Sequence, residues 1–335
     1  MRVRTMAVLA ALITLVAVGS ATAQAPDLES YAVSHLFALP TATTARLFGM
    51  GGIVSCIPDD GFGNPAFAGT LQSSHATGRF SSTRFSSGLK LSTEQYSVAA
   101  PLVAGRKGLQ ITGLRMDSTA GSPVGMSDAP AVGFQEWDMA IHYGQRLNDR
   151  WSAGISVSPV FHSATDFALP APVGSIAHLR STADQGYRLG VLCQIDERTR
   201  AGAVYDKYHE TVAASGPAFG GHPVEVGFSS ETMILGVSYQ LNYRLLGALE
   251  WQQVSARGAG TKTGDSGFRC GLETIVNDAC AVRIGTNDGA WSLGVGYEKG
   301  RWAVDYAWLD DWNDDFVGSA FGGSDTHQLE LTYSW

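Results

Sequence analysis

Residues 290–309 read AWSLGVGYEKGRWAVDYAWL, and this stretch decides the fold class. Large apolar side chains occupy every second position, from Trp291 to Tyr297 and again from Trp302 to Trp308. The positions between them hold Ser, Gly, Ala or Asp. Successive side chains of a β-strand point to opposite faces, so this period of two predicts two strands joined by a turn at residues 299–300. Each strand has one apolar face and one face of small or polar residues.

The same alternation recurs along most of the chain after residue 75, and it is clear at 137–143, 151–157 and 233–239. Aromatic residues mark both ends of several apolar faces, for example Trp137 and Tyr143. This placement is typical of the two aromatic girdles of a transmembrane β-barrel. The alternative is a soluble β-sandwich, which would bury the same rings in its core.

The pattern predicts an all-β fold, an antiparallel transmembrane barrel of about 14 strands. The predicted strands lie near residues 74–82, 89–99, 108–116, 136–147, 150–161, 186–196, 199–209, 231–240, 244–254, 267–276, 280–286, 290–298, 301–309 and 327–335. Short joints alternate with long ones, and the long ones are predicted at 117–135, 162–185, 210–230, 255–266 and 310–326. Short turns at one end and long loops at the other favour the barrel over the sandwich.

The composition agrees with a barrel and excludes several other classes. The 335 residues include 40 Gly, only 16% are charged, and the formal net charge is −8. An apolar content of 44% argues against disorder, 4 Cys are too few for a disulfide scaffold, and the acidic balance argues against a nucleic-acid partner. We attribute the glycines to lumen-facing strand positions and to bends near the N-terminus.

The first 23 residues have the features of a cleavable signal peptide. Arg2 and Arg4 precede an apolar run at 6–18, and Ala21-Thr22-Ala23 is a small-residue cleavage site. The sequence therefore predicts export to the cell outer membrane, with a signal peptide at 1–23, an N-terminal hatch segment at 24–73 and a barrel at 74–335.

Residues 35–70 do not alternate, and they carry the motifs that suggest the hatch. The ordered set is ALP at 38–40, AR at 45–46, GMGG at 49–52, DD at 59–60 and NPA at 64–66. It resembles the FadL-type outer-membrane barrel superfamily, and in particular its shorter PorV/PorQ-like branch. By this resemblance, the residues expected to form the hatch and gate a ligand are Gly49, Gly51, Gly52, Asp59, Asp60, Asn64, Pro65 and Ala66.

The resemblance implies a 14-stranded barrel with an N-terminal hatch and leaves two functions open. FadL-like members pass hydrophobic small molecules across the outer membrane, and PorV/PorQ-like members are accessory barrels of a protein-secretion system. The expected partners are accordingly outer-membrane lipid and a hydrophobic small molecule or secretion-system proteins. A purely structural or adhesive surface barrel is a further alternative.

Polar residues on the second face of the strands are expected to line the lumen. They are Asp138, His142, Arg188, Glu250, Glu273, Arg283 and Asp305. Asp138 and His142 share a face with nearby serines, so a hydrolase acting on lipids is an alternative. We favour a lumen lining without catalytic residues, and the spacing of the eight His predicts no metal site and no cofactor. No disulfide is expected between Cys270 and Cys280.

The C-terminal residues form a last amphipathic strand that ends in an aromatic residue. Its apolar face consists of Leu329, Leu331, Tyr333 and Trp335. This arrangement resembles the assembly signature of bacterial outer-membrane barrels, so these residues are expected to be recognised by the barrel-assembly machinery.

Overall fold

The computed structural model describes residues 43–335 except 60–61, 87, 120–130, 169–175, 217–223, 259–260 and 311–322. The predicted signal peptide, the first part of the hatch segment and Asp60 lie outside the described residues.

The described chain begins with two short helices and continues with 14 strands. The helices are α1 (Ala45–Phe48) and one 3-10 helix (Pro65–Thr70). The strands are β1 (His75–Phe85), β2 (Lys90–Val103), β3 (Lys107–Thr119), β4 (Ala131–Arg146), β5 (Trp151–Ala168), β6 (Ile176–Gln194), β7 (Thr199–Ser215), β8 (Val224–Asn242), β9 (Leu245–Gly258), β10 (Thr261–Asn277), β11 (Cys280–Asn287), β12 (Ala290–Lys299), β13 (Trp302–Asp310) and β14 (Ser324–Ser334).

The strands form one closed antiparallel barrel in which each strand pairs with its neighbours in the chain. β1 closes the barrel by pairing with β14, with Arg79 opposite Glu330. Closure leaves no free sheet edge, which is the condition for a β-sheet inside a bilayer. The predicted barrel class and the number of strands are confirmed.

The outer face of the barrel is apolar and ends in aromatic residues. On β12, Trp291 and Leu293 are 58% and 48% exposed, whereas Ser292 between them is fully buried. The apolar residues of β14 also point outward, and Tyr333 stacks between Trp302 and Trp335. A belt of apolar side chains with aromatic ends matches the surface that a barrel presents to lipid.

Four short turns at one end of the barrel share one hydrogen-bonding pattern. In each, a side-chain oxygen of Asn148, Asp196, Asn242 or Asn277 accepts the backbone N–H groups two and three residues further on. The bond from the Arg198 N–H lowers the pKa of the Asp196 carboxyl below its usual value. These side chains replace backbone partners in a tight reversal, which explains why the short turns were predictable.

The long loops predicted at 162–185, 210–230 and 255–266 are mostly wrong. β5 continues to Ala168, and β6 already starts at Ile176. In the same way, β9 continues to Gly258, and β10 starts at Thr261. These stretches are rich in Ser, Gly and Asp, so they lack the alternation of apolar and small residues that marks the other strands. The ladder of backbone hydrogen bonds holds them as strands without that pattern.

The wall is interrupted between β5 and β6. Their register runs from the turn up to Val157 opposite Tyr187 and resumes only at Ala164 opposite Arg180. Among the described residues, 158–163 of β5 are therefore not paired with 181–186 of β6. The first segment stays paired to β4 and the second to β7. At the lower end of this gap, Ser158 and Pro159 face the single residue Ala140 in a bulge, and a proline has no N–H for the ladder.

No helix in the described ranges is long and apolar enough to cross a membrane.

Candidate functional site

The segment before β1 lies inside the barrel. We call residues 43–72 the hatch. Its two helices contact different sides of the wall: α1 contacts β12, β13 and β14, and the 3-10 helix contacts β2 to β6. The apolar residues Leu47, Met50, Ile53, Cys56 and Ile57 are all buried and pack together. A folded segment with its own apolar cluster therefore fills this part of the lumen.

Glycines of the wall let the hatch backbone come unusually close. Four lumen-facing glycines pair directly across β3 to β6, and further pairs follow on β7–β8 and β10–β11: they are Gly108, Gly144, Gly154, Gly190, Gly202, Gly236, Gly271 and Gly285. A Cβ atom at Gly202 would lie 1.8 Å from the Ser55 carbonyl oxygen, and one at Gly190 would lie 2.0 Å from Asn64 Oδ1. No side chain fits at these distances, so this glycine band is the seat of the hatch.

Charged side chains hold the first part of the hatch. Glu250 is fully buried, and its Oε2 accepts the Val54 N–H at 2.9 Å, the Ser55 N–H at 2.7 Å and the Ser55 hydroxyl at 2.6 Å. The Arg269 guanidinium donates to the Gly52 carbonyl at 2.9 Å and lies 3.4 Å from Glu250. The carboxylate is thus hydrogen-bonded and paired, as a buried charge must be.

A second group of charges surrounds Arg46 of α1. Its guanidinium donates to both oxygens of Glu273, at 2.7 and 2.9 Å. Arg283 donates to Glu273 as well, at 2.7 Å, and also to Asp305. The Ala45 N–H donates to Glu330 at 2.9 Å, so the start of the helix is tied to the last strand. The bidentate contact of Arg46 with a carboxylate that Arg283 also holds fixes the orientation of α1.

The later part of the hatch is held differently. Asn64 caps the 3-10 helix by accepting the Ala66 N–H at 3.0 Å, and its amide donates to the carbonyls of Ser55 and Val191 at 2.7 and 3.2 Å. Pro65 follows at the first position of the helix, where its missing N–H does no harm. This part also packs its backbone on the glycines of β3 to β6 and Phe67 on Leu192, and the Gly105 N–H donates to the Leu71 carbonyl at 2.7 Å.

Phe62 lies between the two parts and reaches the wall close to its gap. The Arg188 guanidinium lies 5.5 Å from the Phe62 ring centroid and donates to the Phe62 carbonyl. The ring of His142 meets Phe62 edge-on at a centroid distance of 5.5 Å. Arg188 also pairs with Asp206 at 2.6 Å. On β6, Tyr187 is the last residue paired with β5 before the gap. Arg188 is the next residue along β6, on the side away from the gap.

The polar residues predicted for the lumen do face the interior, but they do not form a hydrolytic site in the described chain. His142 Nδ1 lies 2.5 Å from the Ser156 hydroxyl, and His142 Nε2 lies 3.2 Å from the Thr112 hydroxyl. Asp138 is hydrogen-bonded to Ser158 instead. A Ser–His pair needs an acid on the second ring nitrogen to act as a triad, and here that nitrogen meets a hydroxyl.

The hatch residues predicted from the sequence fall into this arrangement. Gly51 and Gly52 have φ values of 83° and 77°, a conformation that favours glycine, and Gly49 lies directly on Gly294 of the wall. The Asp59 carboxylate accepts the Thr44 hydroxyl. Their role in gating a ligand stays a prediction.

Sequence reasoning missed Arg46, Ser55 and Phe62, which make the main contacts between hatch and wall. A signal for Arg46 was present, because a lone cation in an apolar, non-alternating segment needs a buried acid as partner. Cys56 was also missed as part of the hatch: burial, with the nearby Glu250 carboxylate, raises the pKa of its thiol to about 12. The four cysteines are free, and Cys270 lies opposite Thr286 rather than Cys280.

Several solved structures share this fold. The Ralstonia pickettii toluene transporter TbuX is 16% identical with a TM-score of 0.61, over 89% of this chain and 99% of that one. The Pseudomonas putida toluene transporter TodX is 12% identical with a TM-score of 0.57, over 88% and 99%. A Pseudomonas aeruginosa FadL homologue is 13% identical with a TM-score of 0.55, over 88% and 97%. No family model and no curated protein matches the chain.

At these identities the likeness shows the fold, which is the FadL-type barrel. Together with the closed wall and its apolar belt, it identifies the chain as an outer-membrane β-barrel. The PorV/PorQ-like branch stays a prediction.

Proposed function

We propose that the protein carries hydrophobic small molecules across the outer membrane, and that its cargo passes between the barrel interior and the surrounding lipid through the gap between β5 and β6. Toluene is the first candidate, because two of the solved barrels that share this fold are toluene transporters.

The observation that carries the proposal is the interrupted pairing of β5 and β6. Backbone groups left unpaired toward hydrocarbon cost several kcal/mol each, so an opening in the wall of a lipid-embedded barrel is expensive. On each strand, six positions lack pairing with the other strand, and we infer that this interruption has a function. An apolar solute gains from such an opening because it can enter lipid without crossing water.

The hatch supports the same route. Phe62 places an apolar ring beside Arg188, just below the gap, where it blocks the lumen side. A shift of residues 62–71 would remove this ring and connect the upper lumen with the gap. The glycine contacts under these residues involve no ion pair, so the shift breaks fewer strong bonds than a movement of the first part.

The test is to pin the gap with disulfides. In a chain whose four natural cysteines are replaced, Ser158→Cys with Gly186→Cys places one pair at its lower end. Ser163→Cys with Ser181→Cys places another pair at its upper end, next to the resumed register. The protein is reconstituted in lipid vesicles, and toluene uptake is measured with the disulfides formed and after reduction.

Oxidation should bring toluene uptake to the level of vesicles without protein, and reduction should restore it. The matched control joins strands that are already paired, with Val157→Cys and Tyr187→Cys, and its uptake should not depend on oxidation. If oxidised and reduced gap variants take up toluene equally, the gap is not the route. If the cysteine-free protein takes up none, toluene transport itself is excluded.

A further inference from the structure

Three consecutive lumen-facing side chains of β2 are buried and polar. Thr93, Gln95 and Ser97 are 3%, 3% and 6% exposed. Their atoms Thr93 Oγ1, Gln95 Nε2 and Ser97 Oγ have no hydrogen-bond partner among the described protein groups. Buried polar atoms are nearly always bonded, and each one left without a partner costs about 1–3 kcal/mol. Three such atoms in one row need an explanation.

The neighbouring strand shows that this barrel can satisfy such residues. On β1, the hydroxyl of Thr77 bonds that of Thr332 at 3.0 Å, and the hydroxyl of Thr83 bonds that of Thr326 at 2.9 Å. Both pairs join β1 to β14. The row on β2 also has hydroxyl residues beside it, because Ser97 lies opposite Thr112 on β3 and Thr77 on β1, yet its own polar atoms have no partner among the described groups.

The β3 side of the row is apolar opposite Thr93 and Gln95, whereas Ser97 lies opposite the buried Thr112. On β3, Met116 lies opposite Thr93 and Leu114 opposite Gln95, and these two apolar side chains are 0% and 4% exposed. On β1, Arg79 lies opposite Gln95 and is paired with Glu330 at 2.7 Å, which neutralises both charges. The site therefore offers hydrogen bonds and apolar contact without a net charge.

We propose that this row is a binding site for small neutral molecules that combine an apolar body with a hydroxyl group, such as phenols. The hydroxyls of Thr93 and Ser97 can accept the ligand O–H, and the Gln95 amide can donate to the ligand oxygen. The Gln95 carbonyl is already used by the Arg79 guanidinium, which leaves the amide N–H groups directed to the site. The apolar body of the ligand packs on Leu114 and Met116.

The role of this site in transport rests on the proposed function. The site restricts the class of cargo molecules expected for that function. A pure hydrocarbon leaves the three polar atoms without partners, whereas a hydroxylated ring supplies one. A carboxylate would gain no cation here, because Arg79 already pairs with Glu330. We therefore expect a preference for p-cresol over toluene, two molecules that differ by one hydroxyl group.

The experiment measures equilibrium binding of p-cresol and of toluene to the full barrel in lipid nanodiscs, with empty nanodiscs subtracted. The unchanged protein should bind p-cresol about tenfold more tightly than toluene, which is about 1.4 kcal/mol at 25 °C. In the double variant Thr93→Val with Ser97→Ala, this preference should disappear while toluene binding stays the same.

Thr83→Val is the matched control, since it removes a buried hydroxyl that already has a partner. It should keep the preference for p-cresol and lower the unfolding temperature, whereas the double variant should be at least as stable as the unchanged protein. The proposal is overturned if the unchanged protein binds both ligands alike, because the row then bonds only water. It is overturned equally if the double variant keeps the preference.

Toluene uptake by vesicles separates this inference from the proposed function. Uptake without a preference for p-cresol would contradict the binding site alone. A preference for p-cresol in nanodiscs with no toluene uptake would contradict the transport route alone.

Discussion

The two halves of the hatch are held to the same wall by different forces. Residues 45–56, the anchored half, are bound by Glu250, Glu273 and Glu330, each of which is also paired with an arginine. Residues 62–71, the packed half, are held by the caps of Asn64, by Arg188 and by backbone contact with glycines. Both halves are buried, so burial alone does not distinguish them.

The difference separates a fixed part from a part that can move. Breaking a buried ion pair costs about 3–5 kcal/mol because a charge is left without a partner. Moving the packed half instead costs dispersion contacts with the glycines and a few hydrogen bonds to the wall, such as those from Arg188 to Phe62 and from Gly105 to Leu71. The anchored half should therefore stay in place when the packed half shifts. Cys56, at the end of the anchored half, can report on this order, because burial raises the pKa of its thiol and we expect the thiol not to react while it stays buried.

The largest effect is expected from a side chain placed under the anchored half. Gly202→Val puts a Cβ atom 1.8 Å from the Ser55 carbonyl oxygen, so the two backbones cannot both keep their positions. The anchored half should leave its seat, and its thiol should then recover an ordinary pKa. Labelling of Cys56 by a maleimide at pH 8, with the other three cysteines replaced, should change from absent to nearly complete.

Two further variants define what this result means. Gly113→Ala is the matched control, since a Cβ there meets nothing within 4 Å, and it should leave Cys56 unlabelled. Gly190→Val should displace Asn64 and the packed half without exposing Cys56. If Gly190→Val labels Cys56 as strongly as Gly202→Val does, the hatch moves as one body and the distinction between its halves is wrong.

An intermediate effect is expected from Glu250→Gln. The amide keeps one acceptor, but it loses the charge that binds two N–H groups, a hydroxyl and Arg269. The loss should be about 3–5 kcal/mol, in line with other buried pairs that lose one partner. It should appear as partial Cys56 labelling and as a lower temperature for the loss of heat-modifiable gel mobility.

The exposed pair Lys207–Glu231, with N and O atoms 3.0 Å apart, is the control for this measurement. Its side chains are 42% and 48% exposed, and such pairs contribute about 0–1 kcal/mol. Lys207→Gln should leave both the labelling and the transition temperature unchanged. An equal effect of the two variants would mean that Glu250 does not anchor the hatch.

The smallest effect is expected from Asn64→Ala in the packed half. It removes the cap of the 3-10 helix and two bonds to carbonyls, a loss of about 1–2 kcal/mol. The packed half should loosen while Cys56 stays protected, and toluene uptake should rise if this half gates the gap. Unchanged uptake together with a lower unfolding temperature would make Asn64 purely structural.

The barrel was predictable because its strands and short turns depend on residues that are close together in the sequence. The alternation around Trp291 and Val304 follows directly from the two faces of a strand, and the turn residues Asn148 and Asn277 act through their own side chains. Where the alternation fades, as in the part of β5 after residue 161, strands were taken for loops.

For the interior, the sequence predicted which residue types line the lumen but not which contacts they make. The sequence placed Glu250 in the lumen, but the hatch residue Val54 that donates to it is 196 positions away in the chain. Arg283 was also placed there, and its partners Glu273 and Asp305 are 10 and 22 positions away. Glycines such as Gly190 and Gly202 were expected at lumen-facing positions, yet nothing in one sequence tells which of them touches the hatch. The gap between β5 and β6 left only Pro159 as a trace.

The bond between the Ala45 N–H and Glu330 has a consequence for the order of folding. The two residues are 285 positions apart, and Gln328 of the same last strand donates to the Thr43 carbonyl. The strand that closes the wall thus also completes the seat of the hatch, so an unfinished sheet cannot yet retain its plug. Contacts this distant in sequence form slowly, so we expect closure of the barrel and docking of α1 to be coupled during folding.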